Sequence, residues 1–196
     1  NNLNCQGLVR QNTNRVKYGM IRQHVFSVKD FRAMTEAGLF IDQKVELIDG
    51  VIVDTSPATP EHEDSIDELG EGVVTVFSKW ARVRIEKAFD IGDDYWLPHP
   101  DVVLAKRKRY GDNPPKREDV FLIIEVSSTT LAEDLGKKLK CYASLGIQDY
   151  WVANVKAKTW LIHREPSGDK YLNITEMPFG SSFAPLAFPN DAHVWL

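Results

Sequence analysis

Cysteine is scarce. The 196 residues hold two, Cys5 and Cys141. One lies in a polar N-terminal stretch and the other in a helical pattern, so a disulfide framework is not expected and a reducing cytoplasm is. Long apolar runs are missing too: none reaches the roughly 18 residues of a membrane span, and no signal peptide is visible. No C-x-x-C pair, H-E-x-x-H, P-loop or G-x-S-x-G motif occurs, which removes support for zinc fingers, zincins, P-loop NTPases and serine hydrolases. Nor is there an excess of positive charge. Against 24 Lys and Arg stand 28 Asp and Glu, a net charge of −4. That excludes a protein gripping nucleic acid by bulk charge, but not an enzyme with acidic metal ligands and a local basic face.

What is present suits one domain. Hydrophobic residues make up 43% and charged residues 27%, enough for a core without staples. Residues 1–19 are rich in Asn and Gln and show no period; they read as an extension outside the fold, with 20–196 as a single domain. Ser27 is expected to cap a helix over residues 28–38, with Asp30 in its first turn and Gly38 at its stop. The run KVELIDGVIVD at 44–54 reads as a hairpin, because Asp49-Gly50 suits a type I′ turn. A helix is expected over 61–81, with Ile66, Leu69, Val73, Val76, Phe77 and Trp80 on one side; Gly70 and Gly72 weaken it.

Strands are expected at 83–89, 101–106, 121–126, 149–155, 159–164 and 170–175, with a helix over 130–145 and a loop-rich tail from Met177. FLIIEV at 121–126 is continuously apolar up to its Glu, as in a strand buried on both faces. Together these elements predict a mixed α/β sheet flanked by helices.

Two carboxylates stand out. Asp101 follows a proline at the start of a strand, and Glu125 ends the most apolar strand in the chain. Asp after Pro is often a turn or cap residue, and Glu125 can sit just past the buried stretch and face water. If it is buried, it needs a cation, a metal or dense hydrogen bonding. Asp134, Lys138 and Tyr142 recur at i, i+4 and i+8, so they share one helix face. Such a pair serves equally as a solvated helix pair. Taken together, two carboxylates on adjacent strands suit Mg²⁺ with a main-chain carbonyl and waters. A nearby lysine suits charge stabilisation at a phosphate.

At these residues the sequence resembles the PD-(D/E)XK nuclease superfamily and, within it, the Uma family of restriction endonucleases. The resemblance rests on VELIDGVIV at 45–53, Pro60-x-His62 leading a helix, HPDVVLA at 99–105 and IIEVSSTTLAEDLGKKLKCYASLGIQDYWV at 123–152. It implies a restriction-endonuclease-like core, with Asp101 and Glu125 as ligands of Mg²⁺ or Mn²⁺ and Glu46 as a further acidic member. The superfamily's usual lysine falls two residues after Glu125, where this chain has Ser127. The family pattern D-x-x-x-K-x-x-x-Y maps instead onto Asp134, Lys138 and Tyr142. Lys137 is the rival, but it points about 100° away on a helix. His62 is either a supporting residue or a loop or cap histidine.

Lys106-Arg107-Lys108-Arg109 could grip a phosphate backbone or be a solvated loop. Trp80, Trp96, Trp151 and Trp160 read as core or partly buried packing, with base stacking by Trp151 as the minor reading. The expected function is metal-dependent hydrolysis of phosphodiesters in nucleic acid, DNA before RNA, by a homodimer acting on both strands. The alternative is a nuclease-fold protein that binds nucleic acid or a protein without cutting.

Overall fold

A computed structural model describes residues 23–54, 59–111 and 113–196. The expected extension at 1–19 and Cys5 lie outside them. Ser27 starts the first helix as expected, α1, Val28–Glu36: its hydroxyl accepts the Asp30 N–H while the Asp30 carboxylate returns to the Ser27 N–H, a closed capping box. Gly38 follows the stop at φ 79°. Strands β1 (Val45–Ile48) and β2 (Val51–Asp54) form the hairpin. Asp49 and Gly50 both take positive φ, 53° and 76°, as a type I′ turn requires.

Helix α2 spans Pro60–Phe77, with Thr59 as its cap. It ends earlier than the period suggests, because Ala81 is already paired with Lys106 in the sheet. Trp80 therefore sits in the turn, 57% exposed, and not on the buried face. Gly70 has a packing reason: a Cβ there would lie 2.9 Å from the Ile85 side chain, so glycine lets the helix approach the sheet.

The main sheet has the order β3-β4-β5-β6-β7-β8. Its strands are β3 (Ala81–Ile85), β4 (Val102–Lys106), β5 (Val120–Ser127), β6 (Asp149–Asn154), β7 (Thr159–Ser167) and β8 (Lys170–Pro178). All neighbours are antiparallel except β5 and β6. That parallel pair demands a crossover. It is built from an α turn, α3 (Leu131–Glu133), a π-helical turn, π1 (Asp134–Lys138), and helix α4 (Leu139–Ser144). The sequence pattern predicts one uninterrupted helix here; the π turn is not visible in it. The strand expected at 83–89 stops at Ile85, leaving Phe89 in a loop.

Alternation on the central strands sends Val102, Leu104, Leu122 and Ile124 to one core, with Ile66, Leu69, Val73 and Phe77 of α2. Val103, Ala105 and Ile123 go to a second core, with Tyr142, Tyr150 and Val152. Burial on both faces explains the continuous apolar run of β5. The tail is more ordered than its prolines suggest. Strands β9 (Ser182–Phe183) and β10 (His193–Val194) pair and deliver Trp195 into the first core, stacked on Phe77. Trp96, Trp151 and Trp160 are buried. Trp151 is wholly inside, its indole N–H donating to Asp149, so it has no face for a base to stack on.

Candidate active site

The register Val103↔Ile123, Val102↔Ile124 ends one residue short of Asp101 and Glu125, and extended by that residue it sets them opposite each other. Directly opposed side chains in an antiparallel pair stand with Cβ atoms about 5 Å apart, so the strands bring both carboxylates to one end of the sheet. Asp101 Oδ2 accepts the Val126 N–H at 2.6 Å. Glu125 is buried, so the reading in which it faces water fails. Its Oε1 accepts from the Tyr142 hydroxyl at 3.0 Å and its Oε2 from Lys138 Nζ at 3.0 Å.

Lys138 also pairs with Asp134 at 2.9 Å. Asp134 is itself buried, and its Oδ2 accepts from Thr130 at 2.7 Å and from the Ser127 hydroxyl. The three residues at i, i+4 and i+8 thus face inward, not toward solvent. Ser127 points into the same cluster. Lys137 points elsewhere: its ammonium pairs with Asp49 at the hairpin tip and lies 4.9 Å from the Trp96 ring centroid.

Charge is unbalanced in this cluster. Burial alone would lower the Lys138 ammonium's pKa, but Glu125, Asp134 and Asp101 outweigh it and hold the pKa well above the usual lysine range. The lysine is therefore a cation. One ammonium faces three carboxylates, so burial, with Asp101 and Asp134 nearby, pushes the Glu125 carboxyl well above its ordinary range. Burial likewise raises Asp101.

A cleft of about 250 Å³ opens onto this cluster. Asp101, Glu125 and Lys138 line it from the sheet and crossover, Glu46 from β1 and His62 from the first turn of α2. Burial raises the Glu46 carboxyl, reinforced by Glu133 and Asp101. His62 Nδ1 is buried without a hydrogen-bond partner among the described residues, while its backbone N–H reaches the Thr59 cap. The carboxylates converging on the cleft offer hard oxygens, the kind Mg²⁺ and Mn²⁺ take, beside the His62 imidazole. Among the described residues no group of three His, Cys, Asp or Glu is disposed to hold a metal ion by itself. A cation there would draw on Asp101 and Glu125 and complete its shell with main-chain and water oxygens, as Mg²⁺ commonly does.

The Uma2 family, described as putative restriction endonucleases, matches residues 28–193. The chain belongs to the Uma2 family. A crystal structure of a putative nuclease from Anabaena variabilis shares the fold at 16% identity, with a TM-score of 0.66 over 87% of this chain and 94% of that one. A search of curated proteins finds no match.

In this Uma2 chain the basic run 106–109 is divided. Lys106 and Lys108 pair with Asp119 at 3.8 and 2.8 Å, and Arg107 donates to the Ser78 carbonyl at 3.3 Å. Arg109 lies against another basin. His99 is a cleft residue that sequence reasoning passed over, although it stands two positions before Asp101. Burial, aided by Lys87 and Lys44, lowers its pKa, so it faces the cleft as a neutral imidazole. No helix is long and apolar enough to cross a membrane among the described residues.

Proposed function

We propose that this protein hydrolyses phosphodiester bonds of DNA with the help of Mg²⁺ or Mn²⁺. The observation that carries the reading is that Asp101 and Glu125 line one cleft with the buried cation Lys138. Asp101 and Glu125 would hold the metal, with Glu46 as a further acidic neighbour. A divalent cation bound there supplies neutralisation of the phosphate charge and activation of the attacking water.

The remaining work falls to the chain's own residues. Lys138 keeps its proton, so its ammonium is available to the phosphate oxygens on which charge builds. Asp134, held by Ser127 and Thr130, keeps that ammonium at the cleft. Tyr142 fixes one oxygen of Glu125. In this reading Lys138 does from the crossover what the superfamily's lysine does from the strand. A homodimer would present two such clefts to a duplex; light scattering that gives a monomer with and without DNA would remove that part.

One observation favours the rival reading of binding without cutting: both oxygens of Glu125 are engaged by Tyr142 and Lys138. The decisive experiment is cleavage of supercoiled, linear and single-stranded DNA by pure protein with Mg²⁺, Mn²⁺ or Ca²⁺, with Glu125→Ala as control. Cleavage with Mg²⁺ or Mn²⁺ that the control lacks supports the nuclease. DNA binding with no cleavage by the wild type supports the rival.

A further inference from the structure

The protein is acidic overall, and the cations beside the cleft and the central strands are paired. Lys44 pairs with Glu86, Lys137 with Asp49, Lys138 with Glu125 and Asp134, Arg164 with Asp149, and Lys106 and Lys108 with Asp119. The edge strand β3 carries two cations that form no ion pair among the described residues. Arg82 and Arg84 alternate along it with Val83 and Ile85. The apolar pair packs against the first core, so the arginines project to the other face.

There they join Lys87, Arg109 and Tyr110 around an open basin of about 450 Å³. None of these four cations forms an ion pair among the described residues. Arg84 is held in place, its guanidinium 5.6 Å from the Tyr110 ring centroid and bonded to the Ala88 carbonyl at 3.4 Å, yet its Nε is buried without a partner among the described residues. Four uncompensated cations side by side repel one another, and an unmet guanidinium N–H costs free energy. A polyanion in the basin relieves the repulsion, and a guanidinium fork suits phosphate.

The basin and the cleft are lined by neighbouring residues of one chain segment. Glu86 lines the cleft and donates its N–H to the Asp101 carbonyl at 2.9 Å, and the next residue, Lys87, lines the basin. We infer that this basin binds the sugar-phosphate backbone of the nucleic-acid strand flanking the bond in the cleft. The inference rests on the nuclease reading for its ligand, and it moves the backbone contact from the run 106–109 to Arg82, Arg84, Lys87 and Arg109.

The test is equilibrium binding of a fluorescent DNA duplex across a salt series by full-length Glu125→Gln, which cannot confuse binding with cutting. It is compared with the same protein also carrying Arg82→Gln, Arg84→Gln, Lys87→Gln and Arg109→Gln, and with a control carrying Lys106→Gln and Arg107→Gln. Circular dichroism checks each fold, and Arg84→Lys alone provides a milder variant that keeps the charge. Expected is a log–log salt slope reduced by about 0.9 for each phosphate that the fourfold variant no longer neutralises, with the control close to the parent. Arg84→Lys should bind more weakly at an unchanged slope, because the charge stays and the fork is gone. An unchanged slope in the fourfold variant, or a parent that fails to bind DNA, overturns the inference. So does displacement of DNA by poly-glutamate at equal charge, which would give the surface to an acidic protein. Wild-type cleavage is measured separately. Cutting with an unchanged slope removes the basin and leaves the nuclease; binding through the basin without cutting does the reverse.

Discussion

Lys137 and Asp49 form an ion pair that ties the tip of the β1–β2 hairpin to the π turn carrying Lys138. The hairpin bears Glu46, so this contact sets one wall of the cleft against the other. A backbone bond from the Gly50 N–H to the Tyr95 carbonyl, 2.7 Å, pins the same turn. Lys137→Ala should therefore lower stability by about 1 kcal/mol, a partly exposed pair plus a cation–π contact. It should weaken substrate binding more than turnover, because Lys137 touches the hairpin and not the cleft cluster. Urea melts and a separation of KM from kcat check this; equal loss in both constants would make Lys137 part of the chemistry.

Lys138 has a harsher expectation. Its ammonium is bonded to both Glu125 and Asp134, and its side chain is only 17% exposed. Lys138→Ala should abolish cleavage and also cost about 3–5 kcal/mol of stability, the usual result of stranding buried charge. Mg²⁺ should raise the melting temperature of this variant more than that of the wild type, since it supplies the missing positive charge. A variant as stable as the wild type, with full activity, would remove Lys138 from both roles.

The raised carboxyl groups of Asp101 and Glu125 give a pH dependence with a definite sign. Their folded-state pKa values lie above those of the unfolded chain. Stability from that difference is complete below the unfolded values, about 4, and is lost as pH rises through the folded ones. A divalent cation competes with the same protons, so its stabilising effect grows over the same rise. Melting temperatures with EDTA or Mg²⁺ from about pH 5 to about pH 8 test this. A Mg²⁺ effect independent of pH, or retained by Asp101→Ala with Glu125→Ala, would refute the shared site.

Tyr142→Phe removes the hydroxyl that donates to Glu125. The carboxylate loses a bond that favours its charged form, so the midpoint of Mg²⁺ binding should move to higher pH, at a stability cost of about 1–2 kcal/mol. Calorimetric titration across pH reads the midpoint; no movement would mean that the Tyr142 bond does not tune Glu125.

Trp195 closes the first core from the tail, stacked on Phe77 and edge-on to Trp151. Trp195→Ala should cost about 3–5 kcal/mol. A loss below about 1 kcal/mol in denaturant melts would mean that the tail is an accessory.

Much of this was legible in the sequence where the cause is local. The Ser27–Asp30 box, the Asp49-Gly50 turn and the two-faced strand β5 each follow from residues within a few positions of one another. So does the shared face of Asp134, Lys138 and Tyr142. The residue pattern singled out Asp101 and Glu125 and the family resemblance added Glu46; the fold brings all three to one cleft. What escaped depends on distant partners. Lys106 and Lys108 look free until the fold brings Asp119 beside them, and Lys137 looks idle until the hairpin arrives. Trp195 gives no sign that it belongs to the core begun by α2. Trp80 misled because a helical period does not record where the sheet claims the chain.

The hydroxyl of Ser127 does more than fill the place where the resemblance to the PD-(D/E)XK pattern leads one to expect lysine. It donates to Asp134, the residue that anchors Lys138. A lysine at 127 would remove that donor and compete with Lys138 for the Asp134 carboxylate, so the two layouts draw on the same anchor. A sequence search that demands lysine two positions after the strand carboxylate therefore passes over chains built like this one, however complete their acidic residues are. A pattern that asks for a small hydroxyl there, together with aspartate and lysine four apart on the next helix, would retrieve them.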